Sequence, residues 1–70
     1  MENVVKQRLM EFISFKRISV NKFEQLCGIS PSYVRNIRKS ISFAVLDKIK
    51  CVYPELNEDW LIDGVGNMII

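Results

Sequence analysis

The sequence predicts an all-α fold, a compact domain of five helices. Three observations lead there. Apolar residues recur at i, i+3 and i+4 in successive short stretches. A serine or asparagine able to cap a helix precedes most of them. The two prolines and three glycines fall at stretch boundaries, and no convincing strand pattern occurs. With 70 residues, 49% of them apolar, the chain has room for one small globular domain spanning 1–70.

The first helix is expected over about residues 2–15, with Val5, Leu9, Phe12 and Ile13 on one face and Lys16 and Arg17 at its end. Ser19 caps a second, which carries Val20, Phe23, Leu26 and Cys27 inward and stops at Gly28, where a left-handed residue is wanted. Ser30 caps a third over residues 31–39, with Pro31 in its first turn and Val34 and Ile37 as its buried pair. Ser42 caps a fourth, directing Val45, Leu46, Ile49, Val52 and Tyr53 to the core, and Pro54 ends it. Asn57 caps a short fifth helix, with Glu58 and Asp59 in its first turn, then Trp60, Leu61 and Ile62, and Gly64 as its stop. Trp60, Tyr53 and Phe43 are read as core aromatics.

Composition excludes several kinds of chemistry. There is no histidine, so His-containing metal sites, triads and general bases are ruled out. Cys27 and Cys51 are too few for a zinc site, and one bridge between them is the most they allow. Their apolar neighbours favour two buried free thiols and hence a reducing, cytoplasmic compartment. Phosphate-binding glycine loops and nucleophile motifs are missing, and no apolar run nears the ~20 residues of a membrane span. The acids near the end lack the periodicity of a calcium loop. The expectation is a protein that is not an enzyme, with no cofactor, no metal, no small-molecule substrate and no membrane contact.

The net charge of +2 conceals an uneven layout. Residues 1–50 carry all ten bases against four acids, a net of +6, while residues 51–70 carry four acids and no base, a net of −4. Such asymmetry points toward an anionic partner for the first part.

The most informative stretch is residues 19–39, SVNKFEQLCGISPSYVRNIRK. Two short capped helices joined by a turn at Gly28 and a buried Ile29 form the layout of a helix-turn-helix. On a helix, Ser32, Arg35, Asn36 and Lys39 share one outward stripe, opposite Val34 and Ile37. These groups can read base edges: arginine binds guanine bidentately, asparagine binds adenine, and serine serves either. Tyr33 and Arg38 flank the stripe, and with Lys22 and Ser40 they suit phosphates or the groove edge. The helix starts at Ser19 and Ser30 offer free N–H groups to phosphate oxygens.

This stretch resembles the helix-turn-helix of the lambda-repressor/Cro-type (XRE) family of phage repressors and bacterial regulators, and the flanking helices extend the likeness over most of the chain. Residues 53–68, YPELNEDWLIDGVGNM, resemble the ending of a phage-repressor-like subgroup whose domain leads into a linker and a second domain. The resemblance implies a transcriptional repressor that reads double-stranded DNA through Pro31, Ser32 and Asn36, with Arg35 and Lys39 beside them. Pro31 offers apolar contact only. Glu24 stands where the family usually has a small residue, so either the two helices sit apart or Glu24 slides outward.

The expected partner is a near-palindromic duplex bound by a homodimer, whose reading elements would lie ~34 Å apart. Trp60, Leu61, Met68 and Ile69 are candidates for the dimer contact. The competing expectations for the apolar ending are that it tucks against the domain's own core or continues into a longer chain. The alternative function is a protein-interaction module of the same fold, antitoxin-like or an anti-repressor partner, without base readout.

Overall fold

The computed structural model describes residues 4–38 and 40–70, and within them the chain forms four α-helices and no strand beyond one isolated bridge. They are α1 (Val4–Phe15), α2 (Val20–Cys27), α3 (Phe43–Val52) and α4 (Glu58–Asp63). The all-α class is as the sequence predicts. The count is not: four helices stand among the described residues, and residues 31–36 form a run of turns in place of the expected third helix. The start expected near Glu2 lies outside the described residues.

Local chemistry explains the ends of the four helices. Ser19 Oγ accepts from the Lys22 N–H at 3.0 Å and Ser42 Oγ from the Val45 N–H at 3.3 Å. Asn57 Oδ1 accepts from the Asp59 N–H at 3.1 Å, so α2, α3 and α4 each begin on a side-chain cap. Gly28 (φ 68°) and Gly64 (φ 73°) end α2 and α4 in the left-handed region, where a Cβ is costly. Beyond α1, Arg17 takes a left-handed φ of 60° as the chain turns toward α2.

The core is one cluster. Val5, Leu9, Phe12 and Ile13 of α1 meet Phe23 and Cys27 of α2, Leu46 and Ile49 of α3, and Leu61 of α4. Ile29, Val34, Ile37 and Leu56 enter from the connecting segments. Phe12 is at its centre, edge-on to Phe23 (centroids 6.5 Å apart) and to Tyr53 (5.4 Å), while Phe23 and Tyr53 stack. Burial pushes the Cys27 thiol up to about 11, which leaves it a small apolar group at neutral pH.

Several residues assigned inward lie outward instead. Phe43 is 88% exposed because it is the first residue of α3, beyond the reach of the core. Leu26 and Val52 are exposed at the edges of their helices' apolar faces, and Cys51 is an exposed free thiol.

The apolar ending folds back on the domain. Leu56 bridges Ile69, the Asn57 N–H donates to the Met68 carbonyl at 2.9 Å, and the Ile70 N–H donates to the Glu55 carbonyl at 2.9 Å. Trp60, Met68 and Ile69 are half-buried against the core, and Leu61 is fully buried in it. Leu61 therefore offers no surface to a second copy, which removes it from the candidate dimer contact. No helix among the described residues is long and apolar enough to cross a membrane.

Lys16 joins the end of α1 to the α3–α4 connection. Its ammonium pairs with Glu55 and lies 5.4–5.9 Å from the ring centroids of Phe12, Phe15 and Tyr53. The hydrogen bond from Lys16, helped by one from its own backbone N–H, holds the Glu55 carboxyl below its ordinary value of 4.5. A carboxyl whose folded pKa is depressed stabilises the fold above its unfolded pKa and loses that contribution as pH falls through the folded one. Wild type should therefore melt above Glu55→Gln at pH 7, and the two should converge as the pH falls through the depressed folded pKa of Glu55. A half-exposed pair contributes at most about 1 kcal/mol, so the gap should not exceed roughly 4–8 °C. Melting curves across pH that stay parallel would refute the pairing.

Candidate nucleic-acid interface

The segment between α2 and α3 starts with a tight turn. The Tyr33 N–H donates to the Ser30 carbonyl at 3.1 Å, with Pro31 and Ser32 as the two central residues. Proline presets the φ of the first, and Ser32 takes a φ of 68° at the second, the combination of a type II turn. One loose helical turn follows: the Asn36 N–H is shared between the Ser32 and Tyr33 carbonyls, and the Ile37 N–H reaches the Val34 carbonyl. The expected Ser30 cap and helical Pro31 are thus replaced by a turn that uses the same fixed φ. Val34 and Ile37 are buried as the sequence predicts, and they pin the segment to the core.

Glu24 organises this segment from below. It is 2% exposed, which excludes one of the two alternatives, that it slides outward. One carboxylate oxygen accepts from the Ser32 N–H and the other from the Val34 N–H, both at 3.1 Å. Two amides expected to be free for phosphate near Ser30 are therefore already bound to an anionic group. A buried carboxylate is tolerable only when it is paired this way. The signal was present in the sequence: Glu24 falls on the helical spacing of Val20, Phe23 and Cys27, so its position is inward although its charge suggests the reverse.

The candidate base-reading residues Ser32, Arg35 and Asn36 are all exposed. They do not form one helical stripe, because there is no helix to carry it. Ser32 and Arg35 line a cleft of about 220 Å³ with Val20, Asn21 and Glu24. Asn36 instead lines a wider cleft of about 470 Å³ with Tyr33, Ile37, Arg38 and Ser40. Lys39, the fourth member, lies outside the described residues.

Among the flanking candidates, Lys22, Ser30, Arg38 and Ser40 are exposed. Ser19 is exposed, but its hydroxyl already serves as the α2 cap. Tyr33 is half-buried, and its hydroxyl accepts from the Ser42 N–H at 3.5 Å, tying the segment to the start of α3. Two supports have no counterpart in the sequence reading. Lys6 Nζ donates to the Arg35 carbonyl at 2.7 Å, and Lys48 Nζ donates to the Gly28 carbonyl at 3.2 Å. Lysines joined to backbone carbonyls 29 and 20 residues away leave no local pattern to detect.

The electrostatics of this face are one-sided. Residues 25–46 contain Arg35, Arg38 and Lys39 and no acid. Glu24, the acid nearest the segment, has both oxygens turned to backbone amides. Among the described residues, no group of three cysteine, aspartate or glutamate side chains is placed to hold a metal ion. Comparison with family models, with curated proteins and with solved structures finds no match to this chain.

Proposed function

We propose that the protein is a sequence-specific double-stranded DNA-binding module, a transcriptional repressor that contacts the major groove with residues 30–38. The observation that carries this reading is the pairing of a firm base with a polar, cationic surface on which the one lining acid, Glu24, has both oxygens bound to backbone amides. Val34 and Ile37 anchor the segment, while Ser32, Arg35, Asn36, Arg38 and Ser40 are exposed above them. No catalytic step is involved. Cations displace counterions from phosphates, and arginine, asparagine and serine side chains hydrogen-bond base edges.

The exposed Lys22 of α2 supplies a further charge for the backbone. Occupation of promoter DNA by two copies would then exclude other proteins from it. Selection from random duplexes at low salt tests the whole reading. An enriched motif with two half-sites about 10 base pairs apart is the expected result. If no duplex is retained, the DNA reading fails, and a protein-interaction module of this fold takes its place.

A further inference from the structure

Among the described residues, Glu24 is the only buried charged side chain, and it holds the α2–α3 connection at three points. Its backbone carbonyl accepts from the Ile29 N–H at 2.8 Å, and its carboxylate oxygens accept from the Ser32 and Val34 N–H groups. Ser32, one of these attachments, is in a left-handed conformation, which residues other than glycine, asparagine and aspartate rarely adopt. A strained residue persists only where its surroundings over-determine it. Here the surroundings are the Pro31 turn on one side and the Glu24 carboxylate on the other.

We propose that Glu24 is the positioning residue of the DNA-reading segment, setting where Ser32 and Arg35 stand relative to α2. The inference rests on the DNA reading above. Successive backbone amides around a left-handed residue form a concavity suited to an anion. The protein fills it with its own carboxylate, so the segment is shaped before any duplex arrives. Arg35 follows directly after Val34, whose amide is one of the two bonded donors. A shift of that amide therefore moves the guanidinium that reads the base.

Glu24→Gln is the informative variant, because it keeps the volume and leaves only one acceptor oxygen for two donors. Amide exchange should speed up at Ser32 or Val34 and remain unchanged in α1 and α3. Binding to the selected duplex should weaken about tenfold or more, the loss expected when a bond to a charged acceptor goes. Affinity for random duplex should not fall, because no cation is removed and a negative charge is lost. Glu24→Ala should lose protection at both amides and weaken specific binding further.

A merely structural role would lower specific and random binding together, so a Glu24→Gln protein with an unchanged ratio of the two overturns the proposal. Retained protection at both amides overturns it as well. If wild type itself selects no duplex, the DNA reading fails first, and the amide measurement still decides whether Glu24 holds the segment.

Discussion

Alanine at Arg35 or Asn36 is expected to weaken binding to the selected duplex by about 1–3 kcal/mol, the discrimination one good base contact supplies. Both side chains are exposed, so truncation should change fold stability by no more than about 0.5 kcal/mol, and any loss reads out as binding. The geometry adds a refinement that a helical stripe would not. Arg35 lies in the cleft beside α2 with Ser32, while Asn36 opens into the other cleft with Arg38 and Ser40. The two variants should therefore relax preference at different positions of the motif. Lys39→Ala should behave differently if that side chain contacts phosphate and not a base edge, weakening all sequences alike and flattening the salt slope by about one. Anisotropy titrations at several salt concentrations separate these outcomes. Arg35→Ala and Asn36→Ala proteins that keep the full affinity and motif would remove base readout from this segment.

What could be read from the sequence follows the range of the forces involved. Ser19, Ser42 and Asn57 were recognisable as caps, and Gly28 and Gly64 as stops, because each acts within a few residues of itself. The segment after Gly28 was not decidable locally. Pro31 is equally suited to the first turn of a helix and to the second position of a type II turn, since both want the same φ. In the structure the turn is joined to Glu24, eight to ten residues earlier, by bonds that exist only once the chain has reversed at Gly28.

Periodicity likewise identified the inward face of α1 and, Val52 excepted, that of α3, but not what would cover each position. Phe43 reads as a core aromatic, yet at the first position of α3 its ring is left 88% exposed. For the candidate site, exposure and charge were readable from residue type, whereas the division of Ser32 and Arg35 from Asn36 was not. That division depends on the backbone path.

Phe12→Ala should be among the most damaging single changes at the described residues. The ring is fully buried and touches aromatic rings from α2 and from the α3–α4 connection, so its loss opens a cavity where those elements meet. Removing a buried phenylalanine costs about 3–5 kcal/mol. A domain of this size has a total stability on the order of 4–10 kcal/mol. A large share of the Phe12→Ala molecules should then be unfolded well below the wild-type melting temperature. Phe43→Ala is the matched control, with the same atoms deleted from an 88% exposed position, and should stay within about 0.5 kcal/mol of wild type. Urea titrations of the pair test the placement of the core, and a reversed order of stability would refute it. The effect on DNA should follow the same logic. Val34 and Ile37 anchor the proposed reading segment in the cluster that holds Phe12, so Phe12→Ala should lose specific and random binding together. Arg35→Ala, with the core intact, should lose chiefly the first.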